Sequence, residues 1–269
     1  MHSRAVTRYR LNLEYDGADF AGWQVQPDVR TVQGCLQNAV LQLFGEPTVV
    51  MAAGRTDTGV HALGQVAHFT VHRERPPEVI TKALNSLLPP DVRITDTRIA
   101  DDRFHARYSA QWRAYRYRIA LRPLAVGRSY SWWCPFRLDP VPMQRAAGLI
   151  VGERVFRSFA HESEKELHYL STVHHAEWRE HGPHLEFRIA ANRFLHGMVR
   201  LLVGTFVEVG RGRRDPQDIE RILLAEDVRQ AGPKAPAHGL TLMAVGYESW
   251  SEEVRARLER VWRSYVEVP

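Results

Sequence analysis

Lysine is almost missing from this chain of 269 residues: Lys82, Lys165 and Lys234 are the only three, so arginine supplies 33 of the 36 basic side chains. Cysteine is scarcer still. Cys35 and Cys134 stand far apart, with no C-x-x-C pair, which argues against a thiolate zinc site or a redox motif and leaves two free thiols. No apolar run approaches the length that spans a bilayer. Residues 1–15, although basic, lack the apolar core and small-residue cleavage site of a secretion signal, so a cytoplasmic protein without a membrane anchor is expected. Carboxylates nowhere gather in the groups that hard metals and metal-dependent nucleases use.

What remains is an ordinary globular composition, 44% hydrophobic and 25% charged, with a formal net charge of +5 and a pI near 9.4. The length suits two packed domains. Arginine's planar fork fits phosphate oxygens and base planes, although genome composition or growth at high temperature would enrich it as well. The basic balance is therefore an electrostatic footprint of a nucleic-acid partner and no more.

Period-two and period-3.6 patterns alternate along the chain. Tyr9, Leu11, Leu13 and Tyr15 alternate with polar residues as a half-buried strand. A helix follows, capped by Thr31, with Val32, Leu36, Val40 and Phe44 on one face and Gly45 as its stop. Strands over 48–53 and 64–71, a helix opened by Pro76-Pro77 and a strand over 92–100 complete the order strand, helix, strand, strand, helix, strand. After residue 105 the order repeats. A strand over 114–121, a helix around 141–151, a hairpin turning at His181-Gly182-Pro183, a helix over 194–209, a short helix after Asp215-Pro216 and a strand over 240–247 are followed by a terminal helix over 251–266. Each half reads as a ferredoxin-like unit, an α+β fold divided into 1–105 and 106–269, with two sheets side by side and a central cleft.

Three stretches could carry chemistry. In GRTDTG (54–59) the glycine spacing resembles a P-loop, but Val60-His61 stand where Lys and Ser/Thr are required. A metal set drawn from Asp57, His61, His68 and His72 offers one carboxylate and spreads over a loop and a separate strand. On spacing alone Asp57 reads as an Asx-turn residue between glycines. The segment from Arg103 to Arg128 interleaves seven arginines with Phe104, Tyr108, Trp112, Tyr115 and Tyr117, a mixture suited to stacking bases and tracking phosphates. Burial of the tyrosines in a core strand explains it equally well. In the third stretch, 192–210, Arg200 shares a narrow helical stripe with Arg193, His196, Gly197 and Gly204, and a guanidinium so placed calls for a carboxylate partner from elsewhere, Asp57 being a candidate.

Together, YDGADFAGWQVQ (15–26), GRTDTGVHA (54–62), FHARYSA (104–110), YRY (115–117) and FLHGMVRLLVG (194–204) resemble the tRNA pseudouridine synthase A family, from about residue 8 to residue 247 and in the family's order. The resemblance implies the pseudouridine synthase fold, isomerisation of uridine to pseudouridine in the anticodon stem-loop of tRNA just 3′ of the anticodon, and a homodimer. It assigns Asp57 as the catalytic nucleophile, Arg55 as an RNA contact in the same motif, Tyr115 as the residue stacking on the flipped uracil, and Arg200 as the partner of the catalytic carboxylate. Phe104, His105, Ala106, Arg107, Tyr108 and Arg116 are the further RNA-binding candidates. No group or electron leaves the molecule in such an isomerisation, so no cofactor and no metal are expected.

One departure concerns the loop after FRSFA (156–160). Relatives carry basic and Thr residues there; this chain has HESEKELHYLST, with Lys165 its one lysine among Glu162, Glu164 and Glu166, so RNA contacts through it are not expected. Two rival readings differ in what they require. A non-catalytic protein with tandem RRM-like sheets needs the aromatic RNP1 signature, which is not found, and a nuclease needs clustered carboxylates.

Overall fold

The computed structural model describes residues 6–161 and 168–264, and the chain divides into two compact units, Met1–Gln111 with Leu242–Glu248 and Trp112–Thr241 with Ser249–Pro269. In the first unit, β1 (Thr7–Tyr15) leads to α1 (Val32–Phe44), β2 (Met51–Ala52), β3 (His61–Val71), α2 (Pro77–Leu87) and β4 (Val92–Ile99). β1 pairs antiparallel with both β3 and β4, and β2 pairs antiparallel with β3, the ferredoxin-like arrangement the order of elements implied. Thr31 accepts from the Gly34 amide at the start of α1, and Gly45, left-handed at φ 74°, ends it. Tyr9, Leu11 and Leu13 are fully buried on one face of β1, and the rings of Tyr9, Phe44 and Phe69 pack at 5.4–6.3 Å.

The expected strand over 48–53 shrinks to two residues. Side chains of α1 take the backbone groups that a ladder would have used: Gln37 accepts from the Val50 amide and Gln33 donates to the Val50 carbonyl.

The second unit runs through β5 (Trp112–Ala120), β6 (Trp132–Trp133), α3 (Pro140–Leu149), β7 (Gly152–Val155), β8 (Leu170–His181), β9 (His184–Ala191), α4 (Met198–Gly210) and α5 (Asp218–Ala225). Its sheet has the order β5-β9-β8-β7, antiparallel throughout, with β6 parallel to β5. Trp178, Phe187 and Phe206 pack at 4.9–6.2 Å between this sheet and α4. β10 (Leu240–Gly246) follows, then α6 (Glu252–Ser264), whose buried residues Val254, Leu258 and Trp262 recur every fourth position.

The residues of β10 from Leu242 onward lie beside β3 and group with the first unit. There Val245 and Tyr247 pack on a cluster of Ala53, Val66 and Ala106, and the Gln111 amide donates to the Gly246 carbonyl. The first unit thus draws its fourth long strand from the far end of the chain.

Candidate active site

Asp57 lies in the first unit, in the loop between β2 and β3, half-buried and flanked by exposed Arg55 and Thr58. The loop closes on itself where the Val60 amide donates to the Asp57 carbonyl, with Gly59 at φ 76°, so the glycine after Asp57-Thr58 supplies a conformation other residues adopt at a cost. The preceding YDGADFAGW segment is its cradle. The Trp23 amide donates to the Thr56 carbonyl at 3.0 Å, and Gly22, at φ 89°, lies so close that a Cβ would stand 2.7 Å from the Thr56 oxygen. At the rear, His61 is 3% exposed, and its Nδ1 lies 3.0 Å from the Gly17 amide and 2.9 Å from an Asp16 carboxylate oxygen, serving one or the other according to its protonation.

Beneath the loop runs a buried chain of neutral groups. The Gln65 amide donates to the Gly54 carbonyl at 2.8 Å and to the Tyr15 hydroxyl at 3.2 Å, and that hydroxyl lies 2.8 Å from Thr56 Oγ1. Burial pushes the Tyr15 phenol up to about 12, with the Thr56 and Gln65 hydrogen bonds opposing, so it stays neutral at physiological pH. The sequence reading missed Tyr15 and Gln65 as neighbours of Asp57. A glutamine at an inward-facing strand position is the one signal that could have found them.

The FHARYSA segment sits in the same unit and divides sharply. Ala106 is fully buried in the core cluster, and its amide donates to His68 Nδ1 at 3.1 Å. His105 turns inward on its own loop, its Nδ1 accepting from the Arg107 and Tyr108 amides at 3.1 and 3.2 Å. Phe104 is half-buried against Tyr247, with the Arg10 guanidinium over both rings. Only Arg107 and Tyr108 are exposed, Tyr108 at 76%, with the guanidinium 5.9 Å from the phenol ring. Burial first, then the charges of His105 and Arg8, lowers His68 to about 4, so it is neutral.

In the second unit Tyr115 is 8% exposed on β5, edge-on to Phe194 at 4.9 Å. Arg200 lies on α4, half-buried, its Nε donating to the Ala235 carbonyl at 2.7 Å while the Ala235 amide donates to the Arg200 carbonyl at 3.1 Å. The expected stripe is shorter than its pattern. Gly197, left-handed at φ 76°, precedes the first helical residue Met198, so Arg193 and His196 fall outside α4, and Arg193 approaches His168 instead.

Arg116 needs a correction. β5 is buried on both faces, and the RNA-binding candidate Arg116 and its strand neighbour Arg118 are 4% and 6% exposed. Cross-strand pairing places them beside Glu186 and Arg188 on β9, and Glu186, fully buried, takes the Arg118 Nε at 2.9 Å, the Arg188 Nη2 at 2.9 Å and Arg116 at 3.8 Å. The Trp262 ring of α6 lies 5.5 Å from the Arg188 guanidinium on this face. Burial, then the charge of Arg118, lowers Arg116 to about 10, Glu186 partly opposing. A guanidinium so enclosed does not present itself to a phosphate.

Among the described residues, one set of three could hold a metal ion, His175, Glu177 and Glu259. It belongs to the same ionic face, where Arg179 approaches both carboxylates and Arg188 approaches Glu259. The loop residues 162–167 lie outside the described residues. No described helix is long and apolar enough to cross a membrane.

A family model described as tRNA pseudouridine synthase matches residues 13–109 and 146–248, which include the Asp57 loop, its cradle, FHARYS (104–109) and Arg200. The chain is similar to proteins named tRNA pseudouridine synthase A. It is 44% identical over 243 residues to that of Moorella thermoacetica, covering 88% of this chain and 98% of the relative. With that of Lacticaseibacillus casei it shares 43% over 247 residues, 90% of this chain and all of the relative. The Exiguobacterium sp. protein is 40% identical over 243 residues, 90% and 99% of the two chains. With that breadth of match, the chain belongs to the tRNA pseudouridine synthase family.

Proposed function

We propose that this protein is an isomerase that converts uridine to pseudouridine in the anticodon stem-loop of tRNA, just 3′ of the anticodon, with Asp57 as the attacking carboxylate. The observation that carries the reading is the Asp57 loop. A turn that needed only an Asx side chain would not require its neighbours Gly54 and Thr56 to be pinned by buried strand residues. Pinning is what a nucleophile held near its attack geometry needs.

The target uridine leaves the base stack to be reached, and a pyrimidine so extruded stacks on an aromatic face. Tyr115 takes that part, Arg55 contacts the RNA beside the nucleophile, and Arg200 is the guanidinium partner that favours the charged carboxylate. Asp57 attacks the sugar C1′ or the base C6, the glycosidic bond breaks, the base turns, and C5 bonds to the sugar C1′; the bond to Asp57 breaks, C5 releases its hydrogen as a proton and N1 takes up a proton from solvent. Of the six RNA-binding candidates, Arg107 and Tyr108 have the exposure to meet the tRNA directly. His105, Ala106 and Phe104 shape the segment that presents them. The family resemblance supports a homodimer working in the cytoplasm.

The experiment replaces Asp57 with Asn, which has nearly the same size and preserves an Asx-turn but cannot attack. Release of the C5 hydrogen from labelled uridine in tRNA is expected to vanish while tRNA binding and melting temperature persist. Turnover at the wild-type rate in Asp57→Asn would discard the assignment.

A further inference from the structure

Resting on that reading, we infer that Tyr15, Thr56 and Gln65 act as positioning residues for Asp57, a relay of neutral hydrogen bonds that sets where the carboxylate stands. Gln65 lies on β3, fully buried. Its Nε2 reaches the Gly54 carbonyl and the Tyr15 hydroxyl, while its Oε1 accepts from the Val66 amide at 3.2 Å and the Gly54 amide at 3.4 Å. One side chain thus holds both polar backbone groups of Gly54, three residues before Asp57. Tyr15, 4% exposed at the end of β1, carries the connection across to the hydroxyl of Thr56, the residue next to Asp57 and itself 7% exposed.

The three residues come from three places in the sequence and serve one loop. Tyr15 and Gln65 are 50 positions apart, and Tyr15 and Thr56 are 41 apart. With the Trp23 amide holding the Thr56 carbonyl from the opposite neighbour, the peptide before Asp57 is fixed at its side chain and at its backbone. A neutral relay suits this place. A buried charge beside the nucleophile would change the carboxylate's own electrostatics, whereas amide and hydroxyl groups fix distance and direction alone. Displacing a reacting group by about 1 Å can cost on the order of a hundredfold in rate, so the relay acts on the chemical step and not on tRNA capture.

The test compares Thr56→Val, which keeps the shape and removes the hydroxyl, with Thr56→Ser, which keeps the hydroxyl, and with Tyr15→Phe. C5-hydrogen release is measured with tRNA concentration varied, beside thermal melts, at a temperature where every protein is folded. Thr56→Val and Tyr15→Phe are expected to lower kcat by on the order of tenfold to a hundredfold with KM for tRNA little changed, and Thr56→Ser to restore most of the rate. If Tyr15→Phe does not fold, the Val and Ser pair decides alone. Wild-type kcat in Thr56→Val, a loss confined to KM, or a Ser variant as slow as the Val variant would each overturn the inference. Asp57→Asn run alongside separates the failures. An inactive Asp57→Asn with a fully active Thr56→Val removes the relay and leaves the nucleophile, whereas an active Asp57→Asn removes the nucleophile itself.

Discussion

Beneath the Asp57 loop the first unit buries neutral polar side chains in single file, Gln65 to Tyr15 to Thr56, each with a partner at hydrogen-bond distance. The second unit buries charges in a ladder. Arg116 and Arg118 on β5, Glu186 and Arg188 on β9 and Glu177 and Arg179 on β8 share one face of its sheet, with Trp262 of α6 lying 5.5 Å from the Arg188 guanidinium. Both arrangements fix strand register. The neutral file does so with little desolvation and fine control of position, which suits a loop proposed to hold the nucleophile. The ladder removes several ions from water, and its net contribution is small until one partner is taken away.

The sharpest way to break this comparison is Glu186→Gln. It leaves Arg116, Arg118 and Arg188 around an uncharged amide, and the expected loss is about 3–5 kcal/mol. That corresponds to a fall in melting temperature on the order of 10 °C, read by calorimetry. Gln65→Leu strips the neutral file of its donor and leaves the Gly54 carbonyl and Tyr15 hydroxyl short of a partner, at a cost of about 1–3 kcal/mol. Should Gln65→Leu melt lower than Glu186→Gln, the ranking of the two regions is reversed.

Acid and alkali sharpen the contrast through variants. Burial alone would raise Glu186, but the charges of Arg116 and Arg118 and the Arg188 and Arg118 hydrogen bonds outweigh it and hold the carboxyl below its ordinary value of 4.5. A depressed carboxyl stabilises the fold above its unfolded value and loses that contribution as pH falls through the folded one. The Tyr15 phenol, raised to about 12 from 10.0, contributes stability that is whole below pH 10 and lost as pH rises through 12. Denaturant midpoints followed against pH are therefore expected to flatten below about pH 4.5 in Glu186→Gln and above about pH 10 in Tyr15→Phe. Tyr117 of the second unit is also raised by burial, so the wild-type alkaline slope belongs to both units and only the difference between proteins is diagnostic.

The smallest effect concerns RNA. Arg107→Ala is expected to reduce the log-log salt slope of tRNA binding by about 0.7–0.9, the value of one phosphate contact. Arg116→Met should leave the slope unchanged, because that guanidinium is buried beside Glu186. A lowered slope in Arg116→Met would return it to the RNA surface.

Legibility followed locality. Thr31, the four apolar residues after it and Gly45 specified α1 within fourteen positions, and the proline pair opened α2 where it stands. The GRTDTG loop was visible as a candidate, and its cradle was visible as a motif without its purpose. What could not be read depended on partners remote in sequence. The burial of Arg118 answers to Glu186, 68 residues away, and a period-two pattern cannot distinguish a solvated arginine from one facing a carboxylate beneath a helix. The helix over 194–209 was read as starting too early because Leu195 and Met198 continue an apolar rhythm across Gly197, whose left-handed backbone holds the helix start at Met198. The strand over 48–53 was lost to two glutamines of α1 that no strand template considers.

The loan of Leu242–Glu248 to the first unit sets a timetable on the ribosome. Tyr247, whose hydroxyl donates to the Ala106 carbonyl, is made 141 residues after its partner. At about 5–20 residues per second, roughly seven to twenty-eight seconds pass between them. Throughout that interval Ala53 and Val66, which bracket the Asp57 loop, await the covering side chains of Val245 and Tyr247. The unit that carries Asp57 thus begins first and still waits for a segment made after almost all of the second unit, and a nascent chain stalled before Leu242 carries that carboxylate on an incomplete sheet.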